Sequence, residues 1–183
     1  MKLVVVRHLP TAWNAEDRLQ GRKDIPIAPL GDRSLTRLTK QKEQVHTGDP
    51  YDAVYCSTLS RTRQTAELFG YPTAISDPLL DELHFGDFEG RFRGEMLAQV
   101  GRAWLESPQT LTFGESVVAL GERARRFVRQ NLSHARVLAF GHGAWTRALC
   151  SLHRTGTIEQ MNQLTIANGE TITLEFGSAL KFP

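Results

Sequence analysis

Four consecutive apolar residues, Leu3-Val4-Val5-Val6, open this chain almost at once and run straight into Arg7-His8. A short, unbroken run of this kind reads as a strand buried on both faces. Val137 to Phe140 is a second such run, followed immediately by Gly141-His142-Gly143. Ala53 to Cys56 reads as another strand, and Thr73 to Ile75 as a very short one. Helical stretches alternate with them: Asp32 to about Val45, Arg61 to Phe69, Gly94 to Glu106, Ser116 to Leu132 and Ala144 to His153. In the fourth, Val117, Leu120, Ala124, Phe127 and Val128 recur near helical spacing. This alternation predicts an α/β fold, a three-layer sandwich with a mostly parallel central sheet flanked by helices. The last apolar segment, Thr171 to Phe176, alternates apolar and polar residues and suits an antiparallel edge strand.

The size, 183 residues, suits a single domain spanning 1–183 with a helical excursion at about 77–135. A formal net charge of +2, with no Lys/Arg-rich block, argues against nucleic acid as a partner. No apolar stretch is long enough to span a membrane, and Met1 leads straight into a strand pattern, so neither a membrane partner nor a signal peptide is expected. The two cysteines, Cys56 and Cys150, have apolar neighbours and read as reduced core residues, which suits the cytoplasm. A monomer or homodimer is the expected state.

Three strand-to-helix junctions carry residues of catalytic type. Arg7-His8 leaves the first strand, Arg61 follows the second, and His142 leaves the long strand at Phe140. In open α/β sheets ligands bind beyond the carboxyl ends of the strands. Helix N-termini there offer free N–H groups and a dipole that favours anions. Two arginines and two histidines at such a place fit phosphate, so a small phosphorylated metabolite is the expected partner. Gly143 can bring an unobstructed N–H to a phosphate oxygen. No metal is expected, because His8, His84 and His142 lack the spacings of zinc sites, and no P-loop is present. The loop DELHFGDFEG holds Asp81, Glu82, Asp87 and Glu89, any of which could protonate a leaving alcohol.

These segments resemble, in order, the motifs of the histidine phosphatase superfamily, in its phosphoglycerate-mutase-like branch. RHLPTAWNAEDRLQG is similar to its Arg-His-Gly-x-Thr-x-x-Asn signature, with the downstream glycine at Gly21. STLSRTRQTA resembles its second arginine segment, DELHFGDFEG its acid loop and FGHG its second histidine. The resemblance covers nearly the whole chain. It implies that His8 is a nucleophile that becomes phosphohistidine, with Arg7, Arg61 and His142 clamping the transferring group. It also implies that Glu82, four residues before Gly86, is the general acid. Thr11, Asn14, Gln20, Gly21 and the Gly143 amide would line the phosphate pocket, with no cofactor.

One position departs from the family pattern. Leu9-Pro10 stands where the family carries glycine after the nucleophile. A residue before proline is driven to extended conformations, and leucine avoids positive φ, so the loop is expected to run differently and to narrow the pocket.

Within the family, mutases carry a longer insertion between the acid and the second histidine, with adjacent arginines for a substrate carboxylate. Here two helices take up much of residues 83–141, and the only adjacent pair in that stretch, Arg125-Arg126, falls inside the second of them. A metal-independent phosphomonoesterase is therefore expected, and the acid loop resembles that of α-ribazole phosphate phosphatases. The alternatives are a phosphoglycerate mutase and, because of Leu9, a non-catalytic module that binds a phosphorylated ligand.

Overall fold

The computed structural model describes residues 1–177. Its elements run β1 (Lys2–Arg7), α1 (Ala12–Ala15), α2 (Asp32–His46), β2 (Ala53–Cys56), α3 (Ser60–Phe69), β3 (Ile75–Ser76), α4 (Arg93–Val100), α5 (Ala103–Glu106), α6 (Val117–Asn131), β4 (Arg136–Gly141), α7 (Gly143–Thr155) and β5 (Thr171–Glu175). The five strands form one sheet in the order β3-β2-β4-β1-β5. Every pairing is parallel except that of β5, which runs antiparallel to β1 at the edge.

Strand periodicity explains the two cores. Leu3 and Val5 of β1, with Val137 and Ala139 of β4, face one side and pack under α6 and α7. Val4 and Val6, with Leu138 and Phe140, face the other side and pack with Leu38 and Val45 of α2 and Phe69 of α3. All eight of these strand residues are buried. At roughly 1.5–3 kcal/mol for each large apolar side chain, they make β1 and β4 the least movable part of the molecule.

Register then delivers the chemistry. Arg7 pairs with Gly141, and Cys56 pairs with Phe140. The next residues, His8, His142 and Ser57, therefore emerge together at the carboxyl edge, where His8 N–H donates to Gly141 O at 2.9 Å. The continuous helix expected over Gly94–Glu106 is instead two helices. Gly101 adopts φ +59 after α4, a left-handed turn that a helix cannot continue through. The short strand expected at Thr73–Ile75 lies at Ile75–Ser76. Among the described residues no helix is long and apolar enough to cross a membrane. Cys56 and Cys150 are both free and buried.

Candidate active site

A cavity of about 320 Å³ opens at the carboxyl edge of the sheet. Arg7, His8, Asn14, Gln20, Gly21, Arg61, Glu82 and Gly143 all line it. Thr11 and His142 do not.

His8 is held by its own loop. Its Nδ1 lies 2.7 Å from the Leu9 carbonyl, which can only accept, so Nδ1 carries the hydrogen and Nε2 keeps a lone pair. Burial, then the charges of Arg61 and Arg7, push its pKa well below the ordinary histidine value, so the ring is neutral. Leu9 does not crowd this ring. Asp17 is the only described non-glycine residue with positive φ, so the loop passes Leu9 without left-handed geometry. The Leu9 N–H donates to Thr65 Oγ1 at 3.0 Å, and its side chain is buried in the core beside α3. It touches the backbone space of Gly169, which has φ +72, and does not line the cavity. The pocket is not narrowed.

Arg61 is fully buried at 0% exposure, yet among the described residues no carboxylate lies within ion-pair distance. It donates to neutral acceptors: Gly21 O at 2.7 Å, Lys23 O at 2.8 Å and His142 Nδ1 at 3.2 Å. Burial pushes its pKa down to about 10, with Glu82 and Asp24 opposing, so it remains a cation at neutral pH. A desolvated cation of this sort, with two N–H bonds unspent and a cavity in front of it, is an anion receptor. Arg7 repeats the pattern. It donates to Ile166 O at 2.5 Å, while its Nε is buried without a partner.

His142 corrects one expectation. It stands behind Arg61, with both nitrogens engaged by protein. Since Arg61 Nε can only donate, His142 Nδ1 accepts, and Nε2–H points to Ser57 Oγ at 2.7 Å. Ser57 passes its hydrogen to Thr62 Oγ1 at 2.8 Å, which bonds Leu59 O at 2.8 Å. Burial, then Arg61 and His8, hold the His142 pKa well below the usual imidazole range. The ring lies 5.3 Å from His8, centroid to centroid. In this arrangement it orients Arg61 and does not clamp the ligand directly.

Thr11 is the second correction. Its hydroxyl caps α1 and accepts from Asn14 N–H at 3.3 Å. Asn14 Oδ1 in return accepts from Thr11 N–H, Thr11 Oγ1 and Asn168 Nδ2. That leaves Asn14 Nδ2 as the donor for the cavity.

Glu82 lies across the N-terminus of α7. Its carboxylate accepts from Ala144 N–H at 3.0 Å, Trp145 N–H at 3.1 Å and Leu83 N–H at 3.0 Å. The first helical amide, Gly143, stays open to the cavity. Arg123 holds the acid loop from below through the carbonyls of Leu79, Asp81 and Glu82, braced by Glu115 at 2.7 Å.

Gly21 is glycine for two reasons. It has φ +52, and a Cβ would lie 2.0 Å from Glu89 Oε1. That same carboxylate oxygen accepts Arg22 N–H at 2.9 Å and Phe85 N–H at 3.1 Å, tying the loop that holds Arg61 to the acid loop.

Sequence reasoning missed several lining residues: Asp17, Arg93, Trp104, Arg147, Asn162 and Asn168. Arg147 could have been found, since it lies one helical turn beyond Gly143 and so shares its face. The others come from loops and short helices without local motifs.

Neutral imidazole, a buried guanidinium beside a half-buried one and a carboxyl group at the carboxyl edge of a mostly parallel sheet define a phosphate-handling α/β protein. The chain belongs to the histidine phosphatase superfamily (branch 1), which it matches over residues 3–180. It is 30% identical over 155 residues to a probable phosphoglycerate mutase, GpmB, of Proteus mirabilis, covering 78% of this chain and 70% of that one. It is 27% identical over 180 residues to an acid phosphatase of Mycobacterium tuberculosis, covering 97% and 83%. Among solved structures, a mycobacterial glucosyl-3-phosphoglycerate phosphatase complexed with VO3 superposes with a TM-score of 0.80 at 25% identity, covering 95% and 92%.

Proposed function

We propose that this protein is a phosphomonoesterase that works through a phosphohistidine at His8. The observation that carries the proposal is the His8 tautomer. A hydrogen fixed on Nδ1 leaves the Nε2 lone pair facing a cavity lined by the buried Arg61 and the half-buried Arg7, neither with a carboxylate partner among the described residues. Nε2 attacks phosphorus, the P–O ester bond breaks, and Glu82 gives its proton to the departing alkoxide. Three backbone N–H groups receive the carboxylate so formed. Glu82 then takes a proton from water, whose oxygen displaces His8 and releases inorganic phosphate. Arg7, Arg61, Asn14 Nδ2 and the Gly143 amide neutralise the equatorial oxygens, a role that requires no metal.

Hydrolysis is favoured over mutase chemistry because no adjacent arginine pair precedes α6. The relatives' names include both classes. α-Ribazole 5′-phosphate remains a candidate substrate, although its neutral leaving group would make little use of the other cations in the cavity. A cytoplasmic setting suits the two free, buried cysteines.

Assay with p-nitrophenyl phosphate in the presence of a chelator tests the reading. Turnover with acid-labile phosphate on His8, lost in His8→Ala, is expected. Stoichiometric binding without turnover would make the chain a binding module. Glu82→Gln should slow alkyl phosphates by about 10²–10⁴-fold, and p-nitrophenyl phosphate much less, since its leaving group departs without a proton.

A further inference from the structure

One wall of the cavity is a thin partition made by the chain just before β5. Thr165, Ile166 and Asn168 line the cavity, and the same three residues, with Ala167, line a second space of about 470 Å³ together with Leu9, Pro10, Ser34 and Arg37. A partition with open space on two faces is positioned less by packing than by hydrogen bonds.

The local sequence supplies those bonds. Residues 167–170 read Ala-Asn-Gly-Glu and form a turn in which Glu170 N–H donates to Ala167 O at 3.1 Å. Gly169 has φ +72 and Asn168 has no positive φ, the pattern of a type II turn, which needs glycine at its third position. Glu170 Oε2 accepts Ala167 N–H at 2.5 Å and braces the turn again. The central peptide is held at both ends. Its N–H, on Gly169, donates to Arg7 O at 3.0 Å and His8 O at 3.2 Å, while its C=O, on Asn168, accepts from Arg37 Nη1 of α2 at 3.2 Å.

The Asn168 side chain adds what this backbone cannot. Its Nδ2 donates to His8 O at 3.0 Å and to Asn14 Oδ1 at 3.3 Å. Both partners can only accept, since Thr11 N–H identifies the Asn14 atom as oxygen. The two hydrogens of one amino group are therefore spent on the nucleophile's own main chain and on the side chain that offers Nδ2 to the cavity. Among the described residues no other side chain bonds both His8 and Asn14.

We infer that Asn168 is a positioning residue for phosphoryl transfer, locking the His8 main chain and the Asn14 amide to one another so that nucleophile and phosphate donor keep one fixed relation. This rests on the phosphomonoesterase reading. Asn168 moves no proton and acts only through its two partners. In-line attack depends on such alignment, and a misplacement of about 1 Å can cost about a hundredfold. Here the loss is smaller, because His8 O keeps Gly169 N–H and Asn14 Oδ1 keeps Thr11.

Steady-state kinetics with p-nitrophenyl phosphate test the role. Asn168→Ala should lower kcat about tenfold and change KM less than about threefold, with the melting temperature nearly unmoved. Placed on top of Asn14→Ala, the same change should cost less than about threefold, because the pair to be aligned is gone. A residue that merely held the turn together would cost the full factor in both backgrounds. That result, an unchanged kcat, or a loss confined to KM overturns the role and leaves the phosphatase reading standing. If Asn168→Ala does not fold, Asn168→Leu, which fills the space without a donor, carries the same comparison. Absence of turnover in the unaltered protein fails the phosphatase reading and takes this role with it.

Discussion

Two buried arginines, Arg61 and Arg136, sit at opposite ends of the sheet and reach opposite outcomes. Arg136 begins β4 at the amino edge, where its fork donates to the carbonyls of Asp49 and Thr47 and to Tyr51 Oη, and its plane lies 4.2 Å over the Tyr51 ring. Nothing in that enclosure invites a ligand, and the residue works as a clasp between β4 and the loop after α2. Arg61 also spends hydrogen bonds on carbonyls, but it keeps two N–H groups toward a cavity shared with Arg7 and the neutral imidazole of His8. Burial alone does not make a cation functional. What matters is whether its unspent donors face protein or open space.

The comparison can be broken most directly by exchanging the two losses. Arg61→Ala should lower kcat/KM by about a hundred- to a thousandfold with little change in melting temperature. Arg136→Ala should keep its turnover and lose about 2–3 kcal/mol of stability, read from urea denaturation. If both variants lose activity alike, the distinction drawn here is wrong. Leu9 sharpens the same boundary between core and cavity. Leu9→Ala should cost roughly 2–4 kcal/mol as a buried leucine while leaving the KM for p-nitrophenyl phosphate near its starting value.

A smaller effect separates the two edges by pH. His8 and His142 are neutral in the fold, with pKa values depressed well below 6.5. As pH falls below that value, the unfolded chain binds protons that the native state refuses, so stability is lost on acidification. The slope should be on the order of 1 kcal/mol per pH unit for each imidazole. A denaturation midpoint that stays flat between pH 7 and 5.5 would contradict this. Smallest of all, Thr11→Ala should cost about 1 kcal/mol through the lost cap, with catalysis only slightly slowed by a looser Asn14.

Much of this could be read from the chain. The apolar runs at Leu3–Val6 and Val137–Phe140 announced the two central strands, because only a doubly covered sheet tolerates such runs. The residues that follow them had to share an edge once the strands were parallel. The break at Gly101 was hidden, since a helical pattern does not reveal which glycine will adopt positive φ. The place of His142 behind Arg61 was also hidden, because it depends on Ser57 and Thr62, a pair that attracts no notice as sequence. Arg147 was overlooked for a different reason: a basic residue on a helix ordinarily reaches solvent, and only the packing of Asn162 and Trp104 shows that this one does not.

The Glu89 carboxylate is one of the fasteners joining the segment that cradles Arg61 to the segment that carries Glu82, beside the Gly90 N–H to Leu19 O bond, and a glycine had to stand at position 21 to make room for it. Grip on the anion and delivery of the proton therefore share a hinge pin. Trimming it by a single methylene, as in Glu89→Asp, would slacken both at once, although Glu89 itself touches neither reacting atom.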